Sequence, residues 1–532
     1  MKPTFALFLI CFGIYAITNY GGVRAPDSEV VFRVAESLAD NQTFTPRDLE
    51  RWPGFGVSPG IDGRLYSVYP PMESFVLVPV IKLAQWINKS GWYEHVPVPL
   101  SLYPGNGLKS FIGKATETHW EPHALRYIAS WFDVLVSVLG VMVLYAILLR
   151  MTGSRNASFV TALIYACGTM AWSYAGSFFS EPLALLFVLM SFQALVAQDA
   201  DFSEPRSPLL SLLAGISLGL ACSTHLTAVL FFPFFAAYAF LIWRIRSPAA
   251  GTLRAVFLFA AGCAIVLLLL GYFNYIRFGN FFEFGRSMST SNKVSFFYPF
   301  SRQFWHNLFG VLAGCGKGLL FFCPAVIVAG CMWRPFHKKH PALSFILIAL
   351  LAGRIMFVAC YEDWHAGYCL GPRYLLMAIP FWIIPAAFWI QEKMDKQNWG
   401  ALAASLGLLT ACIVQQAYFA LGEISSFYHI LKFTYRRDGV GLLFVNDRIY
   451  LNDWTFTPLL HLHQYKRGPF LLQSIGLSNF NLWLISGGLC IAVAAVYLYR
   501  LKLQYQKHTA VIAEINGTKR KIKTKRHPVA RS

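Results

Sequence analysis

Apolar runs recur along this chain at the length a lipid bilayer demands, since a spanning helix needs about 20 mainly apolar residues. About twelve segments approach that length: 4–20, 124–149, 157–176, 181–198, 208–223, 226–243, 254–275, 317–333, 342–360, 373–390, 400–419 and 481–499. The pattern predicts an all-α polytopic membrane protein. Two further apolar stretches, 74–88 and 304–315, are too short to span and read as interfacial or re-entrant helices.

Basic residues near helix ends set the orientation. With the N-terminus in the cytoplasm, Arg150, Arg155, Arg244, Arg246, Arg334, Lys338, Lys339 and the C-terminal tail all fall inside. The loop 199–207 runs against this bias with Asp199, Asp201 and Glu204, but acids count little in the rule. The expected organisation is one membrane unit, 1–500, and a basic cytoplasmic tail, 501–532. Loops 21–123, 276–316, 361–372 and 420–480 then face outward. The first is far longer than a usual connection, as functional loops are. Within it Val31, Val34, Ala35 and Leu38 recur at helical spacing behind Pro26 and Asp27, a helix-start pair. Gly215 and Gly219 form a GxxxG pair that suits close helix packing.

Composition agrees with a lipid-solvated chain. Of the 532 residues 56% are hydrophobic and 13% charged, about half the charged share of a soluble domain. Mean hydropathy is +0.49. The net charge of +19 would point to nucleic acid in a soluble protein. Here much of it sits in the tail, where Lys502, Lys507, Lys519, Arg520, Lys521, Lys523, Lys525, Arg526 and Arg531 face one acid, Glu514. A basic segment after an apolar helix is an anchor at anionic lipid, so no nucleic-acid partner is expected. The 11 cysteines lie mostly in apolar runs and show no CxxC, so they read as small hydrophobes, with neither a disulfide framework nor a zinc site. Residues 5–20 lack a small-x-small cleavage site and read as a retained first helix rather than a signal peptide.

Ionisable groups at membrane helix ends are costly unless paired or hydrated. On the outer face they gather in a few places. Asp27 follows the first helix, and Glu181 opens another in Ser180-Glu181-Pro182. Both also fit plain helix starts. Asp62-Gly63 reads as a turn leading to Tyr69-Pro70-Pro71. The segment Tyr361 to Tyr374 packs Trp364, His365 and two glycines before Arg373 at a helix start. Such an Arg can grip a phosphate bidentately, or snorkel at the interface. Arg277, Arg286 and Lys317 add cations to the same face and equally fit interfacial anchoring. Asp199-Ala200-Asp201 looks like a nucleotide-sugar motif but falls on the inner side. His461 and His463 lack a third ligand for a metal.

In order and sidedness these pieces resemble the GT-C superfamily of polyprenyl-phosphate-sugar-dependent glycosyltransferases, which includes protein O-mannosyltransferases and the lipid A aminoarabinose transferase. The resemblance runs from Asp27 to about Pro380. It rests on Pro26-Asp27-Ser28 with Ala35-Glu36-Ser37-Leu38, Asp62-Gly63 to Pro71, Ser180 to Leu183, Phe278-Gly279-Asn280 to Gly285, and Gly371-Pro372-Arg373-Tyr374. It implies a GT-C-like bundle of about 12 helices and transfer of a hexosyl or pentosyl unit from a lipid-phosphate carrier. It implies Asp27 as catalytic base, with Glu181 as the second acid. Arg373, Tyr69, Arg286, Lys317, Trp364 and His365 would bind substrate. Some relatives carry Lys before the Pro-Pro, where this chain has Tyr69.

The partners so implied are a polyprenyl-phosphate-linked sugar, the bilayer, and a glycolipid, polysaccharide or protein acceptor. No cofactor and no metal is expected, and the location would be a bacterial inner membrane with both termini cytoplasmic. The competing class is a lipid or solute transporter or flippase, which predicts two related halves or broken helices and intramembrane charges. The helix interiors carry few charges, with Arg354 the main exception and His225 between two segments. The weight of polar residues in outer loops favours an enzyme.

Overall fold

The computed structural model describes residues 3–19, 21–23, 25–47, 55–91, 120–199, 201–202, 209–244, 249–285, 301–422, 424, 427–428, 451 and 453–464. All of them lie in one unit, Met1–Asn479. In chain order come α1 (Pro3–Ile17), α2 (Pro26–Asn41), a hairpin of β1 (Val57–Pro59) and β2 (Leu65–Ser67), and α3 (Met72–Lys89). Next are α4 (Trp120–Thr152), α5 (Arg155–Gly168), α6 (Ala171–Tyr174), α7 (Ser180–Val196) and α8 (Leu209–Thr224). A 3₁₀ turn, Leu226–Phe231, leads to α9 (Phe232–Arg244), followed by α10 (Ala249–Phe278), α11 (Phe304–Ala313), α12 (Leu319–Phe322), α13 (Ala325–Cys331), α14 (Trp333–Lys339) and α15 (Pro341–Cys360). A second 3₁₀ turn, Arg373–Ala378, opens α16 (Ile379–Asp395), and α17 (Trp399–Leu421) follows.

Among the described residues six helical segments are long and apolar enough to cross a membrane: Leu125–Thr152, Leu226–Arg244, Gly251–Phe278, Pro341–Cys360, Arg373–Asp395 and Trp399–Leu421. The apolar helices Pro3–Ile17, Ser180–Val196 and Leu209–Thr224 are shorter. The expected segment 317–333 is not one helix. It breaks into α12 and α13 around Cys323-Pro324, since proline brings no N–H and clashes with the preceding turn. The candidate 481–499 lies outside the described residues. The chain is also not purely helical. Asp62-Gly63 turns β1 back onto β2, with Val57 opposite Ser67 and Gly63 at φ +76°.

The stretch with apolar residues at helical spacing, α2, is buried nearly all round, from Ser28 to Ser37. Phe32 and Ala35 pack into a core with Leu77 and Ile81 of α3 and Ala129 and Phe132 of α4. Charged side chains on α2 therefore point into protein, where they must be paired. By contrast α10 exposes Phe257, Leu268 and Leu269. That surface suits lipid and would be costly in water. The GxxxG pair packs as expected. A Cβ on Gly215 would run into the Phe259 carbonyl of α10, and one on Gly219 would lie 2.7 Å from Val266. Small residues there let α8 and α10 approach backbone to backbone.

One end of the bundle collects the chemistry-bearing segments. At the end of α1, Asn19 donates to Ser130 of α4 at 3.0 Å, and Trp172 donates to Thr18 at 3.0 Å. The hairpin docks on the end of α10, where Arg277 donates to the Ser67 carbonyl at 2.8 Å and Ile61 N–H to the Arg277 carbonyl at 2.9 Å. At the other end, the contrary acids find partners. Asp199 accepts from Tyr238 at 2.8 Å, and Asp201 lies 3.2 Å from His340.

Candidate active site

Three segments far apart in sequence meet at the start of the second 3₁₀ turn. Asp27 stands at the first turn of α2, Glu181 at the first turn of α7, and Arg373 opens the 3₁₀ turn. The Arg373 Nε lies 2.9 Å from Glu181 Oε1, and its Nη2 lies 3.6 Å from Asp27 Oδ2. One guanidinium thus faces both acids. Asp27 is about a third exposed while Glu181 is buried, so Asp27 is the carboxylate an incoming group can reach. The Tyr69 hydroxyl donates to Asp27 Oδ1 at 3.0 Å.

Local backbone explains the aim of these groups. Before α7, Phe178 adopts φ +56°, a left-handed conformation that is strained for a bulky residue. The turn swings Phe179 under Arg373, whose guanidinium carbon sits 4.2 Å from the ring centroid. A cation on an aromatic face keeps its edge free for anions. Ahead of Arg373, Gly371 holds φ +55°, and a Cβ there would lie 2.7 Å from the Met170 sulfur. The Tyr174 hydroxyl fixes the same loop by donating to the Leu370 carbonyl at 2.6 Å.

The other expected site residues occupy different surroundings. Lys317 is fully buried and turned onto the loop 361–372. Its ammonium donates to the Gly367 carbonyl at 2.9 Å and to the Cys369 carbonyl, and it lies 4.8 Å from the Tyr428 ring centroid. Trp364 is buried against Gly310 of α11. His365 Nδ1 accepts from Gly367 N–H at 3.1 Å, and its Nε2 faces Asp363 at 3.0 Å. These three shape the loop that ends in Arg373, and none of the contacts just given joins them to Asp27 or Glu181. Arg286 lies outside the described residues.

Several charged groups escape a reading of hydropathy. His225 sits between α8 and the first 3₁₀ turn, with Nε2 3.6 Å from Glu181 Oε1. The interior of α4 carries Arg126 and Asp133, both buried, so Arg354 is not the main exception among the helices. Arg126 and Arg33 both bind Glu29 of α2; Arg33 Nε does so at 2.9 Å. Burial alone would raise the Glu29 carboxyl, but the two guanidiniums hold it below the usual range. At the start of α3, burial first, then Asp133 and Glu181, push Glu73 well above the usual carboxylate range. Among the described residues no three metal-ligating side chains converge.

The dolichyl-phosphate-mannose-protein mannosyltransferase family matches this chain over residues 99–284. The resemblance to the GT-C superfamily is borne out. Glu181 and His225 lie inside that match, whereas Asp27, Tyr69 and Arg373 lie outside it. No curated protein matches the chain significantly in sequence. Among solved structures, the chain is similar to ArnT from Cupriavidus metallidurans in the apo state, at 14% identity and a TM-score of 0.47. That match covers 78% of this chain and spans 63% of the ArnT chain. ArnT from the same organism bound to undecaprenyl phosphate matches at 13% identity and a TM-score of 0.45, over 82% of this chain and 72% of that one. The GT-C likeness is thus carried by the family match together with the motifs themselves.

Proposed function

We propose that this chain is an integral membrane glycosyltransferase that moves a sugar from a polyprenyl-phosphate carrier to an extracytoplasmic acceptor. The observation that carries the reading is Arg373 set between Asp27 and Glu181, with Tyr69 on the free side of Asp27. A base must be reachable and a phosphate-binding cation must be anchored, and this arrangement supplies both. The mannosyltransferase match supports the reaction class.

In the proposed step Asp27 takes the proton from an acceptor hydroxyl. The hydroxyl oxygen forms a bond to the anomeric carbon. The bond from that carbon to the carrier phosphate oxygen breaks, and the electron pair leaves with the phosphate. Arg373 stabilises the charge that develops there. Glu181 holds Arg373 from the buried side. Lys317, Trp364 and His365 serve the donor site by shaping the loop before Arg373. The distribution of Lys and Arg supports an outer-face site and cytoplasmic termini, and the membrane would be a bacterial inner membrane. The acceptor would be a glycolipid, a polysaccharide or a protein, and the moved sugar a hexosyl or pentosyl unit.

The test is transfer in proteoliposomes from a panel of radiolabelled polyprenyl-phosphate sugars, with wild type beside Asp27→Asn. Wild type should transfer one of them, and the variant should lose about a hundredfold or more at equal expression, the range of a positioned base. Transfer that survives the substitution removes Asp27 from the role. Absence of transfer from every donor in the panel favours a transporter.

A further inference from the structure

Behind the Glu181–Arg373 pair lies a second polar chain that runs from Arg354 through Thr227 to His225. Arg354, buried in α15, donates from Nη1 to the Thr227 carbonyl at 2.6 Å and from Nη2 to Thr227 Oγ1 at 2.8 Å. The same Nη2 donates to the Tyr374 carbonyl at 2.9 Å. Arg354 thereby ties the turn after α8 to the residue that follows Arg373. Thr227 Oγ1 also lies 2.8 Å from His225 Nδ1.

An arginine has donors only, so Thr227 Oγ1 must accept from it. A hydroxyl keeps one hydrogen to donate and a second lone pair to accept with, so His225 Nδ1 either accepts from Thr227 or donates to it. The neutral imidazole with an acceptor at Nδ1 carries its proton on Nε2. Nε2 is the atom that faces Glu181 Oε1 at 3.6 Å. That distance is too long for a formed hydrogen bond, so a proton on Nε2 would act on the carboxylate as an oriented dipole. Glu181 Oε1 is buried and makes no aligned hydrogen bond, although Arg373 Nε approaches the same atom at 2.9 Å.

We propose that Arg354, Thr227 and His225 form a positioning relay for sugar transfer, in which the Nε2–H tautomer of His225 holds Glu181 and so fixes Arg373 against the carrier phosphate. Rotation of Glu181 away from Arg373 would let the guanidinium follow Asp27 or solvent. The relay touches neither substrate nor the reacting atoms. The inference rests on the glycosyltransferase reading for its kinetic consequence, but its tautomer is a property of the protein alone.

Two measurements separate these. The first is ¹⁵N NMR of histidine-labelled protein in nanodiscs, with His225→Gln identifying the resonance. Wild type should show the Nε2–H tautomer, and Thr227→Ala should show a mixture or the other form. An Nδ1–H tautomer in wild type overturns the relay, whether or not the chain transfers sugar. The second is donor kinetics. His225→Ala should raise the donor KM about tenfold with a smaller change in kcat, because Glu181 then no longer holds Arg373 in place for the phosphate. His225→Gln, which keeps an N–H near the Nε2 position, should return KM to within about threefold. Thr227→Ala should match His225→Ala, and the double variant should be no worse than either alone. Additive losses, or a failure of His225→Gln to restore KM, overturn the proposal. Loss of all transfer in wild type would sink the glycosyltransferase reading instead, and the NMR arm would still decide the tautomer.

Discussion

Tyr69 donates its phenolic hydrogen to Asp27, 3.0 Å away, from a position 42 residues along the chain. The ring reaches it because Gly56, at φ +66°, leaves room: a Cβ there would lie 2.7 Å from the Tyr69 ring. A neutral donor orients the carboxylate without neutralising it, which suits a base. Tyr69→Phe should lower kcat/KM by about tenfold, the lower end of the range for a hydrogen bond to a charged group, with the melting temperature little changed. Gly56→Ala should give a similar loss, since it displaces the ring. Full activity in both variants would show that Asp27 needs no such orientation.

Arg373 to Lys keeps the charge and removes the fork. A lysine ammonium is a point donor and cannot address Glu181 from Nε while presenting Nη2 toward Asp27. Arg373→Lys should therefore raise the donor KM about tenfold or more, whereas protein yield and melting should stay near wild type. Unchanged KM would mean that the phosphate is held elsewhere. Trapping of folded protein on immobilised polyprenyl phosphate reads the same effect without turnover.

Glu36 gives the chain a pH dependence whose sign follows from its burial. Burial raises its carboxyl from 4.5 to about 7, against the nearby Arg126 and with some help from Glu29. The folded state thus binds a proton that the unfolded chain has released between those values. Stability from this group is full below about pH 4.5 and falls as pH rises toward 7. The total is on the order of 3 kcal/mol at most. Glu36→Gln should flatten this fall and melt higher than wild type at pH 8, in detergent at constant salt. Parallel melting curves across pH 5 to about 8 would remove Glu36 as the source.

The sequence made the site's outline legible because its residues sit at helix starts beside turn signals. Asp27 behind Pro26, Glu181 before Pro182, and Arg373 after Gly371-Pro372 all carry such local marks. The Asp62-Gly63 turn was legible for the same reason, although the short hairpin it closes was not. What local pattern does not carry is partner choice. Lys317 stood among the expected substrate-binding residues, and the carbonyls of Gly367 and Cys369 that its ammonium binds are partners chosen across the fold. Arg126 and Asp133 were hidden inside a long apolar run, since two charges barely alter the mean hydropathy of α4. His225 marked a boundary between two apolar segments, and its approach to Glu181 is made across the fold.

The buried Glu29 offers the sharpest test of the fold itself. Its carboxylate is fully enclosed and is bound by Arg126 Nε at 3.0 Å and by Arg33 Nε at 2.9 Å. Arg126 also lies over the Phe32 ring at 4.6 Å, so it links α4 to α2 by charge and by packing. Removing one partner of a buried pair strands the other, which costs about 3–5 kcal/mol. Arg33 remains in place, so Arg126→Met should fall near the lower end of that range. The stability from Glu29 is present above its ordinary carboxylate range and is lost as pH falls, because the pair holds its carboxyl down. Arg126→Met should therefore melt well below wild type at pH 7, with the gap narrowing in acid. The pair Glu29→Gln and Arg126→Met should recover part of the loss, since no charge is left stranded. A double variant that melts lower than Arg126→Met alone would show that Glu29 has a second role, at the turn that also carries Asp27.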